Sequence, residues 1–447
     1  MRRDLLDKMI AWHRQPRRKP LILMGARQVG KSWLMREFSR IHYPQDTVFL
    51  DVHDNALLRQ AVSGGSANLQ GLLEVLSTFS GHKIIPGKTL LVLDEIQESP
   101  PLLTSLKYFQ EQLPQLAILA AGSLLGIALN RSIRGNADTE QRVSFPVGKV
   151  SFLDVPPMTF AEFLDAVGET AKRECLDKLA WNTIASLQQS YQELLKRYYF
   201  VGGMPEAVAE YAQNRDFQAV RSVQQDILRS YDQDFAKHAS QATLARIRLL
   251  WNSLPGQLAK ENKKLVYTAL RPGARARDYE VALQWLEDAG MVHQVHRVSH
   301  PGMPLKAYED FSAFKLYAHD VGLLGAMSDL PPSILLGSNE LFTHFKGAFT
   351  EQYVLQELVA AGLTPYYWTP EDGKAEIEFL LQGDRSIYPL EAKAETNLSG
   401  KSLLSYRQRY EPRKCLRTSL SMHTCGEKID DLPLFALRQA LPCYLMA

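Results

Sequence analysis

Apolar residues in the first 155 positions fall into short runs separated by stretches of helical spacing, an alternation that predicts a parallel α/β sheet. Runs at 21–24, 48–52, 90–94, 117–121 and 143–150 predict five strands. Leu5, Leu6, Met9 and Ile10 predict an amphipathic N-terminal helix, with Asp4 and Asp7 breaking any resemblance to a signal peptide. After Pro156-Pro157 the spacing turns helical. Phe160, Phe163 and Leu164 share one face, and Leu187, Tyr191, Leu194, Leu195, Tyr198 and Tyr199 another. Val201-Gly202-Gly203-Met204-Pro205 breaks this pattern, which restarts at Glu206. From 243 to 327 the pattern predicts three helices and a two-stranded segment, with Tyr279, Ala282, Leu283, Leu286 and Ala289 as a buried stripe. His300-Pro301-Gly302-Met303-Pro304 is the expected turn between those strands. A helix over 346–362 and strands over 366–368, 375–381 and 386–394 are expected in the last part. The chain thus divides into segments 1–155, 156–240, 241–330 and 331–447, in keeping with a length of 447 residues.

Composition changes this picture little. A net charge of +2 excludes a polycation, so any nucleic-acid surface is a local patch. Cys175, Cys415, Cys425 and Cys443 form no C-x-x-C pair, which argues against a disulfide framework or structural zinc and suits a cytoplasmic protein. No apolar run is long enough to span a membrane.

Chemistry enters at the first strand, which runs into Gly25-Ala26-Arg27-Gln28-Val29-Gly30-Lys31-Ser32 and then a helical pattern. This is G-x-x-x-x-G-K-S in its strand–loop–helix setting. Gly25, Gln28, Val29 and Gly30 would bring backbone N–H groups to phosphate oxygens at a helix N-terminus. Lys31 would reach the β- and γ-phosphates of ATP, and the Ser32 hydroxyl would ligate Mg²⁺. The third strand ends in Asp94-Glu95. Asp94 is placed to hold Mg²⁺ through a water, and Glu95 to polarise the water attacking the γ-phosphate. The strand at 48–52 intervenes in sequence, so the phosphate-loop and Asp94 strands are not expected to be sheet neighbours. That topology occurs in ATP-hydrolysing motors and switches with a catalytic glutamate. Ser123 follows the fourth strand, as a γ-phosphate sensor or a plain helix cap. Arg131, Arg134 and Arg142 are candidates for an arginine acting on a neighbouring subunit's nucleotide.

Residues 20–32, Leu93-Asp94-Glu95-Ile96-Gln97, Ala121-Gly122-Ser123-Leu124, 145–163 and 201–206 together resemble one family. It comprises bacterial and archaeal AAA+-like ATPases whose C-terminal half is a domain of unknown function. The resemblance implies ATP binding and hydrolysis by residues 1–155 and a helical lid over 156–240. Family members often carry Gly-Arg where this chain has Gly148-Lys149.

Residues 241–330 have a winged-helix outline, with Lys263, Lys264, Arg271, Arg275 and Arg277 around its expected recognition helix as DNA phosphate contacts. A solvated basic face on a protein-binding module is the competing reading. In 331–447, alternation along the strands pairs Glu376 with Glu378 and Glu391 with Lys393. With Glu351 upstream, Glu378, Glu391 and Lys393 resemble the restriction-endonuclease-like core (D/E)…(D/E)-x-K, which uses carboxylate-bound Mg²⁺. Glu378 departs from the usual aspartate. The expectation is a DNA-associated ATPase acting as a homo-oligomer without a membrane. The alternative is an ATP-gated protein-interaction switch that binds no nucleic acid.

Overall fold

The computed structural model describes residues 2–63, 68–122, 125–127, 148–260, 263–336, 343–370, 373, 375–395 and 400–446. Its contacts divide into two compact units. One comprises Arg3–Pro156 with Trp285–Met291, and the other Pro157–Gln284 with Val292–Ala447.

The first unit is built on β1 (Leu21–Met24), β2 (Thr47–Asp51), β3 (Leu90–Asp94), β4 (Ala117–Ala121) and β5 (Ser151–Asp154). All pairings are parallel, in the order β2-β3-β4-β1-β5. β3 and β4 are buried at every position, which is why both read as unbroken apolar runs. The phosphate-loop and Asp94 strands are indeed not neighbours, because β4 lies between them. Their C-terminal ends all lie at one edge, where open α/β sheets bind ligands. The fifth strand was expected at 143–150 but forms at Ser151–Asp154, in register with β1 from Leu21↔Ser151. Residues 143–147 lie outside the described part.

The second unit begins with helices, among them Phe160–Ala166, Gln188–Val201, Pro205–Asn214, Phe217–His238 and Gln241–Leu258. Thr159 and Glu162 close a reciprocal capping box at the first. The glycine break at 202–203 is tied into the core. Gly203 donates its N–H to Asp320 Oδ2 at 2.6 Å and accepts from Met158 N at 2.6 Å. Gln356 donates to the Tyr198 hydroxyl at 2.8 Å, and Glu357 accepts from Phe160 N at 2.8 Å. Burial raises the Asp320 carboxyl to about 6, against the backbone hydrogen bonds that favour its ionised form.

The middle element expected between 258 and 276 is a single 3-10 turn, Tyr267–Ala269, followed by the helix Ala276–Asp288. The chain before the turn is pulled into a strand contact, with Leu265 N bonded to Phe314 O. Pro272-Gly273 then stops helical continuation.

The expected hairpin is β6 (Val292–Val298) with β7 (Glu309–Ala318), but it does not stand apart. β8 (Tyr366–Trp368) pairs with β6, and β9 (Ile377–Gln382), β10 (Ile387–Ala392), β11 (Cys415–Ser419), β12 (Thr424–Cys425) and β13 (Ile429–Pro433) complete one eight-stranded sheet. Its order is β12-β13-β11-β10-β9-β8-β6-β7. The boundary expected at 330 is therefore crossed by a continuous hydrogen-bonded sheet. The helix Thr343–Ala360 and antiparallel β8–β9–β10 form close to the expected helix and three strands, and the helix Lys401–Tyr410 and parallel β11, which were not expected, follow them.

Among the described residues no helix is long and apolar enough to cross a membrane. The four cysteines are free thiols.

Candidate functional site

β1 delivers the chain to a loop whose backbone only certain residues tolerate. Gly25 has φ +139°, and a Cβ there would lie 2.4 Å from Val155 O. Gln28 and Gly30 also take positive φ, at 67° and 95°. The helix Lys31–His42 starts directly afterwards, so its free N–H groups face the loop's concavity. Lys31 Nζ donates to Gly25 O at 2.9 Å and Ala26 O at 2.7 Å, which holds the ammonium under the loop. Burial lowers its pKa to about 8, with Glu95 and Asp94 opposing the shift.

Asp94 ends β3, and it and Glu95 both lie close enough to Lys31 to favour its charged form. The Ser32 hydroxyl lies near enough to Asp94 to favour its ionised form, so the two residues expected at Mg²⁺ are neighbours. A hydroxyl and a carboxylate oxygen are hard donors that suit Mg²⁺. Burial raises the Asp94 carboxyl above its ordinary value, and the Ser32 hydroxyl pulls it back. Glu95 adopts φ 51°, an uncommon left-handed conformation for a non-glycine residue. Its Oε2 accepts from Gln97 Nε2 at 2.5 Å, which fixes the carboxylate's direction.

Two supports carry no chemical motif. Arg3 is buried and donates to Val29 O at 2.9 Å and Pro156 O at 2.8 Å, bracing the loop from behind. In sequence it is an ordinary basic residue ahead of the helix Leu5–His13. Gly290, in the 285–291 segment of the same unit, packs on the loop's first turn. A Cβ there would lie 3.0 Å from Ala26 N, and its φ is +69°. A residue 260 positions downstream of the loop gives no local signal of this contact. Arg3→Met is expected to leave one buried and one partly buried carbonyl without this donor and to destabilise this unit by about 1–3 kcal/mol. Thermal unfolding with and without ATP measures this, and an unchanged melting temperature would remove the bracing role.

Ser123, Arg131, Arg134 and Arg142 lie outside the described residues. Lys149 pairs with Glu111 at 2.9 Å.

In the second unit, Glu351, Glu378, Glu391 and Lys393 converge as expected, but they are joined by Lys263, Lys315, Glu376 and Tyr317. Glu351 pairs with Lys263, lies 4.0 Å from Lys315 and accepts from the Tyr317 hydroxyl at 3.2 Å. Lys315 meets Glu376 at 2.5 Å, and Lys393 meets Glu391 at 2.9 Å. Burial, with Glu351 and Glu391 nearby, raises Glu378 to about 8. Lys263 is therefore spent on Glu351 and is corrected from an open phosphate contact to a partly buried ion-pair partner. Lys264 forms a β-bridge with Lys315 through its backbone. Arg271, Arg275 and Arg277 are exposed around the start of the helix Ala276–Asp288.

Residues 17–164 match the family described as AAA domain. Residues 192–333 and 346–437 match two families described as domains of unknown function, DUF8612 and DUF4143. No curated protein matches the chain. Among solved structures, the chain is similar to a Walker-type ATPase of Pyrococcus abyssi at 15% identity, covering 73% of this chain and 95% of that one, with a TM-score of 0.44. The Aeropyrum pernix Orc1 protein in complex with DNA matches at 14% identity, 74% and 92% coverage and a TM-score of 0.27. The Thermotoga maritima RuvB Holliday junction branch migration motor matches at 14% identity, 66% and 90% coverage and a TM-score of 0.28.

Proposed function

We propose, from the premise that residues 17–164 form an AAA-type P-loop ATPase domain, that this chain binds ATP at Gly25–Ser32 and hydrolyses it through Glu95. The observation that carries this reading is the joint placement of Lys31, Ser32, Asp94 and Glu95 around one loop. Backbone N–H groups at the start of the helix Lys31–His42 take the phosphates, and Lys31 adds a positive charge beside them. Ser32 and Asp94 would hold Mg²⁺, which neutralises charge on the β- and γ-phosphates. Glu95, oriented by Gln97, accepts a proton from the attacking water. An arginine from a second copy in a homo-oligomer would complete the charge stabilisation.

Lys31 also sets a pH dependence. ATP favours its charged form, whereas burial favours the neutral one. Above a free-protein pKa of about 8, binding must therefore take up a proton. Affinity should be flat below that pH and fall by up to about tenfold per unit above it. Calorimetric titration across this range in two buffers of different ionisation enthalpy reports the proton directly. A flat profile with no proton uptake would dismiss the effect.

The finer proposal is that nucleotide state controls attachment to DNA, with Lys264, Arg271, Arg275 and Arg277 on the phosphates. The exposure of the three arginines supports it. Gel shifts on duplex and branched DNA across a salt series should show micromolar binding that weakens with salt, and Arg275→Glu/Arg277→Glu should weaken it further. Absence of any shift at low salt would leave the ATP-gated protein-interaction switch.

A further inference from the structure

The residues resembling a nuclease centre do not present a set of oxygens free for a cation. A catalytic Mg²⁺ needs carboxylate oxygens with open lone pairs and room for several waters. Here Lys263 and Lys315 flank Glu351, Lys315 also takes Glu376, and Lys393 takes Glu391. Glu378 Oε2 accepts from Ala392 N at 3.4 Å. Glu391 Oε2 alone among these is a buried carboxylate oxygen without a hydrogen-bond partner. Among the described residues, no group of three or more His, Cys, Asp or Glu side chains is arranged to hold a metal ion. A divalent ion entering beside Glu391 would meet the Lys393 ammonium 2.9 Å from that carboxylate, a like charge that repels it.

We propose that this carboxylate cluster is closed to divalent cations by the chain's own lysines, and serves as an ionic joint within the eight-stranded sheet. Lys315 is the centre of the joint. It is fully buried on the edge strand β7, and its Nζ lies 4.9 Å from the Tyr367 ring centroid on β8. From there it reaches Glu376 beside β9 and Glu351 on the helix Thr343–Ala360. Tyr317, two residues along the same strand, makes a second bond to Glu351. A buried lysine persists only with such partners, and removing any of them leaves a charge uncompensated. The joint thus links the β6–β7 hairpin to the strands that carry the nuclease-like motif. Its chemistry is cohesion, without phosphodiester cleavage.

Mn²⁺ binding to the nucleotide-free full chain, followed by electron paramagnetic resonance, tests the closure. Wild type and Glu391→Gln should bind equal amounts of Mn²⁺ at millimolar concentration, because the phosphate loop is the same in both. Wild type should also leave duplex and single-stranded DNA intact in Mn²⁺. A site present in wild type and lost in Glu391→Gln, or cleavage lost in Lys393→Ala, would overturn the proposal. Lys263→Gln should free Glu351 Oε1 alone, Oε2 staying with Lys315 and Tyr317, and raise Mn²⁺ affinity at least about tenfold, with the gain reversed by Glu351→Gln. A folded Lys263→Gln protein without that gain would overturn the closure as well. The wild-type arms stand even if the variant does not fold.

Discussion

Lys31→Ala is expected to abolish measurable ATP binding. The ammonium is drawn under the loop, bonded to Gly25 O and Ala26 O. On the β- and γ-phosphates it would supply charge-assisted hydrogen bonds of about 1.5–3 kcal/mol each. Losing two of them lowers affinity by roughly 10²- to 10⁴-fold. Alanine also leaves two loop carbonyls without their donor, so the loop's geometry loosens together with its charge. Equilibrium binding of a fluorescent ATP analogue, with circular dichroism as a control for folding, reads the effect. Unchanged affinity in a folded variant would refute the phosphate-loop assignment.

Glu95→Gln should behave in the opposite way, binding ATP normally while failing to turn it over. Glutamine keeps the length of the side chain and the contact with Gln97, but it cannot take a proton from water. General-base catalysis contributes about 10²- to 10⁴-fold, so turnover should fall within that range. ATP would then remain bound through gel filtration, whereas wild type would release ADP. Normal turnover in Glu95→Gln would move the base to another residue. Together the two substitutions separate binding from chemistry, since one empties the site and the other fills it without consequence.

Much of the first unit was legible because its signals are local. A strand, a glycine-rich turn and a helix start lie within 12 residues from Leu21 to Ser32, and backbone geometry alone requires that order. Asp94 and Glu95 were legible because a fully buried strand ending in carboxylates projects them from the sheet edge. The shift of β5 from 143–150 to Ser151–Asp154 shows the limit of apolar runs as a guide. β5 alternates partly buried and exposed positions, so its place is decided by pairing with β1. The 3-10 turn at Tyr267–Ala269 makes the same point, since its neighbours are captured by the distant strand β7.

At the second cluster the sequence placed Glu351, Glu378, Glu391 and Lys393 correctly near one another. It misjudged Lys263 because a lysine followed by another lysine reads as a solvated basic pair. Only the fold shows an acidic partner 88 positions away. Lys315 carried no warning, lying within an apolar strand pattern until burial forced it to find Glu351 and Glu376.

By itself, then, the amino-acid sequence determined the elements whose causes are near neighbours: the phosphate loop, the strand-end carboxylates and the periodicities of helices and strands. Tertiary structure alone decided which distant groups complete each site. Arg3 and Gly290 close on the loop, and the lysines close on the nuclease-like carboxylates, because burial makes unpaired polar groups costly. The chain meets that cost with whichever partner the fold brings within reach, at any separation in sequence.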